Sequence, residues 1–210
     1  MFPLLLTTTL WVGLGGAVLM LLGDMILYFD RGDYDSSKGA DAIVEIMKKV
    51  SRKRLYIGGL LGPVSAVLYC VGYYHIVLVA NAEYSLLAWI AFFLCCTGIV
   101  CGGAFHSQCA NLGLIGRHEE LPQLEEIKNH LAFQKLFLMG FTALGNLLLI
   151  ALILLGFTML PRWAILFTPP VLLLLTPLVN RLPKGIHMVI GGGWTNMITV
   201  IYYAAVIVIL

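Results

Sequence analysis

The sequence predicts an all-α, polytopic integral membrane protein: a bundle of six transmembrane helices, with two short amphipathic helices lying at the interface in cytoplasmic loops. Three observations carry this. The 210-residue chain is 60% hydrophobic and only 11% charged, far below the roughly 25% charged residues of a soluble domain. Its apolar residues fall in runs of about 20 or more, the length that crosses a hydrocarbon core of roughly 30 Å. All the acidic and basic residues lie between these runs or at their ends, with Asp24 the exception.

The first span is read as 4–29. Its start, MFPLLLTTTLWVGLGG, lacks a basic leader, and its apolar stretch is too long for a signal-peptide core, so it is expected to be retained. In the polar loop 30–54, Ile43, Ile46, Met47 and Val50 recur at helical spacing, and Asp41 is a candidate N-cap. That pattern predicts an amphipathic helix lying on the membrane surface. The second span is 55–80 and the third 85–110, joined by a short turn.

The loop 111–132 holds the second amphipathic segment. There Pro122 suits a first helical turn, and Leu124, Ile127 and Leu131 share one face. The fourth, fifth and sixth spans are 133–157, 162–179 and 185–210. Pro169, Pro170 and Pro177 each remove a backbone donor, so the fifth is expected to kink or break. Residues 1–210 form one domain, with no matched motif to suggest an inverted repeat.

Orientation follows from Lys and Arg. Twelve of the 13 lie in or beside loops 30–54, 111–132 and 180–184, and Arg162 alone lies on the other side. The bias places those loops in the cytoplasm and both termini on the non-cytoplasmic side. The basic residues are juxtamembrane, so the net charge of +2 does not point to nucleic acid.

Polar groups inside the spans are the candidate site. At about 1.5 Å per residue, Asp24 on the first span and His106 on the third both lie about 30 Å from the outer face, near the cytoplasmic boundary. Each rides on a small-residue face: Gly13, Gly16 and Met20 precede Asp24, and Gly98, Gly102 and Gly103 precede His106. A titratable side chain in hydrocarbon is costly and marks a function by default. Tyr28 and Gln108 flank the pair. Ser65, Asn146 and Asn196, with Trp194 beside it, are expected nearer the midplane, where an amide needs partners. Interhelical bonding alone is the plainer account of each. His75, among Tyr69, Tyr73 and Tyr74, fits an aromatic belt at the outer interface.

Other chemistries are set aside. Cys101, His106 and Cys109 lack a second Cys or His pair to complete a four-ligand metal site, which would have to draw on Asp24 and His187 as outside ligands. Five cysteines within or beside spans read as small buried hydrophobes, and there is no CxxC. The sixth span has no lysine for a Schiff base, and no HxxxH occurs. No cofactor is expected.

Three functions remain open. The leading one is a protein that binds or transforms a lipid-like small molecule from the cytoplasmic leaflet. His106 would be the acid or base, Asp24 would orient it, and Tyr28, Ser65, Gln108, Asn146, Trp194 and Asn196 would hold the substrate. The second is a proton- or cation-coupled transporter or channel, which requires polar groups to continue toward the outer face. The third is a structural or partner-binding membrane protein without a catalytic site. Membrane lipids are the expected partners, and the small-residue faces would also serve oligomerisation.

Overall fold

A computed structural model describes residues 2–29, 38–117 and 123–210. Among these residues every regular element is a helix: α1 (Phe2–Tyr28), α2 (Ala40–Met47), α3 (Arg52–Tyr73), α4 (His75–Val79), α5 (Ser85–Ile115), α6 (Gln123–Leu154), α7 (Pro169–Leu173), α8 (Thr176–Val179), α9 (Lys184–Ile190) and α10 (Trp194–Ile209), with 3-10 turns between some of them. Five stretches are long and apolar enough to cross a membrane: Pro3–Tyr28, Arg52–Val79, Ala82–Ile115, Gln123–Leu154 and Gly185–Ile209.

The remaining stretch, over 162–179, is broken, as its prolines lead one to expect. It is a 3-10 helix (Arg162–Phe167) followed by α7 and α8. The reason lies in the prolines, which start the two short helices because neither ring tolerates a place inside a continuous hydrogen-bond ladder.

Neighbours in the bundle follow a ring. α1 packs along α3, α3 along α5, α5 along α6, and α10 along the free side of α1. The 162–167 turn and α7 touch both α6 and α10. Pro3 and Leu6 of α1, Ile207 and Leu210, and Met159 line one cleft of about 190 Å³. α10 therefore runs antiparallel to α1, and both chain ends lie at one end of the bundle, here the terminal end. There Asn81 N–H donates to the Phe157 carbonyl (2.9 Å) and Met159 N–H to that of Val79 (2.8 Å), tying the two loops together.

At the opposite, loop end a second apolar cluster contains Leu27, Met47, Leu55, Leu112, Leu124 and Leu131. Here three expectations change. α2 buries Ile43, Ile46 and Met47 against α5, so its apolar face is covered by protein rather than lying on lipid. A Cβ on Gly113 of α5 would sit 2.6 Å from Met47 Cβ, an approach that only glycine permits. Gly39, at φ 56°, precedes this helix, while Asp41 lies in its first turn and accepts from Lys128 Nζ at 2.6 Å. Nor is there a separate second amphipathic helix in the described residues. Residues 123–131 are the first turns of α6, because no breaker separates them from the apolar run that follows. Pro122 and residues 30–37 lie outside the described residues.

Arg54 closes the loop end of α1. Its guanidinium donates to the carbonyls of Ile26 (2.8 Å) and Phe29 (2.7 Å), acceptors that a helix end leaves unpaired. Pro63 inside α3 should likewise orphan the carbonyl four residues back, that of Gly59. Ser107 of α5 donates its hydroxyl to that oxygen at 2.9 Å.

Candidate functional site

Close helix contact creates the site. Gly62 and Gly103 bring α3 and α5 together: a Cβ on Gly62 would collide with His106 Cβ and lie 2.9 Å from the Gly103 carbonyl oxygen. On α1, Gly16 and Gly23 do the same toward α3 and His106. Three glycines at 191–193 form a 3-10 turn between α9 and α10. A Cβ on Gly193 would meet Leu21 Cδ1 at 2.6 Å and Asp24 Oδ2 at 3.6 Å, and one on Gly192 would meet Tyr28 Cβ at 2.8 Å.

Within this glycine-walled space Asp24 and His106 meet. His106 Nε2 lies 3.2 Å from Asp24 Oδ1, and the residues are 6% and 4% exposed, respectively. Asn196 Nδ2 donates to Asp24 Oδ2 at 2.7 Å, and Tyr69 donates its hydroxyl to Asn196 Oδ1 at 3.1 Å. The two bonds fix the amide orientation, since the carboxylate only accepts. A single chain of contacts thus joins α3, α10, α1 and α5. His106 Nδ1 is buried without a partner among the described residues, so the imidazole keeps one nitrogen uncommitted.

The other expected residues divide. Asn196 joins the Asp24 level rather than a layer nearer the midplane, because the helix restarts at Trp194 and the amide sits in its first turn. Tyr28 is one turn beyond Asp24, with its hydroxyl 3.3 Å from Cys109 Sγ. Trp194 is tied elsewhere: its indole N–H donates to Thr176 Oγ1 at 3.1 Å, linking α10 to α8. Gln108 is half-buried two residues past His106, about 200° round the helix and so not facing the pair.

Ser65 donates to the carbonyl of Leu61 on its own helix (2.6 Å). Asn146 donates to that of Thr142 (2.8 Å) and packs on Cys95. Cys95 lies eleven residues before His106 on α5, roughly 16 Å along the axis, so Asn146 is not part of this group. The hydroxyls of Ser65 and Ser107 both donate to backbone carbonyls.

Two residues were placed differently by sequence reasoning. Tyr69 belongs to this site through its long side chain. It is seven residues after Gly62, and positions i and i+7 share a helix face, which was the available signal. His75 is fully buried rather than part of an interfacial belt. Its Nδ1 is 2.7 Å from the Gly72 carbonyl and its Nε2 is 2.6 Å from the Tyr202 hydroxyl. Both ring nitrogens are satisfied inside the protein, which removes the need to reach water.

No curated protein and no solved structure matches the chain. Across its whole length, residues 1–210, the chain belongs to the family described as "Family of unknown function (DUF6796)".

Proposed function

We propose that the protein is a proton-coupled integral membrane protein of the transporter or channel class, in which Asp24 and His106 form the proton-binding centre. The single observation that carries this reading is their buried contact, 3.2 Å apart with His106 Nδ1 uncommitted. Asp24 holds the Nε2 edge of the imidazole, and the free Nδ1 lone pair is where a proton would be taken. The resulting imidazolium would face a carboxylate whose second oxygen is held by Asn196. The glycine wall packed around the pair suits a proton better than a lipid-sized molecule.

This reading uses six crossings. α1 rises roughly 33 Å from Leu6 to Tyr28 at about 1.5 Å per residue. Met159 lies beside Leu6, and Gly192 lies beside Tyr28, which supports reading residues 160–191 as a broken sixth segment that returns across that distance. The charge bias supports placing the loop end, with the Asp24–His106 pair, on the cytoplasmic side and both termini outside.

Proteoliposomes carrying an internal pH dye test this under an imposed potassium diffusion potential. The reading expects proton entry faster than in protein-free vesicles and its loss in Asp24→Asn. Entry at the protein-free rate, or unaltered by Asp24→Asn, overturns it.

A second reading is a site for a lipid-like molecule from the cytoplasmic leaflet. It is favoured by the glycines at 192 and 193, which leave Asp24 and Tyr28 bounded on that side by residues without side chains. It expects lipid to co-purify with the wild-type chain and to be lost in His106→Ala.

A further inference from the structure

The corner that joins α2 to α3 is densely basic. Residues 48–54 read KKVSRKR and hold five of the chain's 13 Lys and Arg. A charge bias across a membrane asks only that cations lie in the loops at one end. It does not ask for three in the first turn of a helix, where Arg52, Lys53 and Arg54 stand and face the positive end of the helix dipole. Arg54 is compensated by the carbonyls that end α1. Lys49, Arg52 and Lys53 are exposed, and among the described residues their side chains have no partner.

Tertiary contacts hold this corner in shape. Val50 is buried in the loop-end cluster, and Ser51 caps α3 by accepting from Arg54 N–H at 3.4 Å. Arg117, 67 residues away and just past the end of α5, donates to the Val50 carbonyl. A fourth exposed cation thus reaches the corner from a separate element. The acids of α2 are engaged elsewhere, Asp41 by Lys128 and Glu45 by Lys38.

From the same turn α3 presents an apolar stripe. Tyr56, Leu60, Val64 and Val67 follow Lys53 at spacings of three and four, and all are exposed. α1 and α5 pack along the other sides of α3, which leaves this stripe to the surrounding hydrocarbon. Val64 lies eleven residues beyond Lys53, roughly 16 Å along the axis and about half of a hydrocarbon core. The cations therefore stand at the head of a lipid-facing stripe one leaflet long.

We infer that Lys49, Arg52, Lys53 and Arg117 bind the head of an anionic phospholipid whose acyl chains lie along Tyr56, Leu60 and Val64. The inference is independent of the proton reading of the Asp24–His106 pair. Lys and Arg donate charge-assisted hydrogen bonds to phosphate oxygens, and the lipid's negative charge supplies the partner that this corner lacks. A zwitterionic head brings its own ammonium, which the four cations repel. The stripe selects a lipid over a free phosphate, because only a lipid has chains to cover it.

The test is native mass spectrometry of the full chain in detergent, titrated with phosphatidylglycerol and with phosphatidylcholine of the same acyl chains. The wild type should bind phosphatidylglycerol more tightly. Each cation near a lipid surface contributes about fivefold in affinity, so Arg52→Gln with Lys53→Gln should weaken phosphatidylglycerol binding roughly twentyfold. Phosphatidylcholine binding should stay as it is. Both side chains are exposed and unpartnered, so folding should be undisturbed. Lys135→Gln with Arg181→Gln removes two exposed cations elsewhere and should change neither lipid. Equal binding of the two lipids by the wild type, or equal weakening by the two double variants, overturns the inference. Inorganic phosphate in large excess should not displace the bound phosphatidylglycerol. Displacement by phosphate shows a site for the free anion and overturns the lipid assignment.

Discussion

Gly62→Ala tests whether glycine contact builds the site. The added methyl would collide with His106 Cβ while lying 2.9 Å from both His106 Cγ and the Gly103 carbonyl oxygen. Carbon contacts normally sit about 3.5–4.0 Å apart, so α3 and α5 would have to separate by roughly an ångström or more. Two of the three obstacles, His106 Cβ and the Gly103 oxygen, are fixed by the backbone, so no rotamer change removes them. Overpacking of this kind costs about 1–3 kcal/mol, occasionally more, against a helix-propensity gain of about 1 kcal/mol for replacing glycine.

The control is internal. Gly15 and Gly140 have nothing within 4 Å of a would-be Cβ, so Gly15→Ala and Gly140→Ala should be neutral or mildly stabilising. Unfolding of the detergent-solubilised chain, followed by tryptophan fluorescence, reads all three. Equal stability of Gly62→Ala and Gly15→Ala would refute the packing argument.

Two further perturbations follow from the same geometry. Ser107→Ala should cost about 1–3 kcal/mol by orphaning the Gly59 carbonyl, and Pro63→Ala in the same chain should recover part of it by restoring the helical donor; unfolding midpoints of the two variants check this. Asn196→Leu strips one partner each from Tyr69 and Asp24, and should lower stability by about 1–3 kcal/mol. Asp24→Asn should then cost less in the Asn196→Leu background than in the wild type, a non-additivity that a double-mutant cycle measures.

The membrane class, the five long helices and the proline-broken stretch were legible because each rests on composition or local chemistry. Run length betrays a span, and Pro169, Pro170 and Pro177 deny a continuous ladder wherever they fall. The pairing of Asp24 with His106 was also accessible, since helical rise fixes depth and small residues mark the facing sides. What lay beyond the sequence were positions set by tertiary contact. Asn196 reaches Asp24 only because the glycine turn at 191–193 shifts the start of α10. His75 turns inward because Tyr202, 127 residues away, offers it a hydroxyl. α2 turns its apolar face onto α5 because Gly113 lets Met47 sit close. A lone amphipathic pattern does not say whether protein or lipid covers it.

The most direct test of the central claim is ¹⁵N NMR of the histidines of the full chain in bilayers, recorded against pH in the wild type and in Asp24→Asn. The chain has 5 histidines. The account predicts that His106 Nδ1 gains a proton on acidification, and that Asp24→Asn moves the His106 resonances while leaving the other four in place. A His106 whose two nitrogens stay unchanged by acidification and by Asp24→Asn would contradict the claim that these residues form one proton-binding centre.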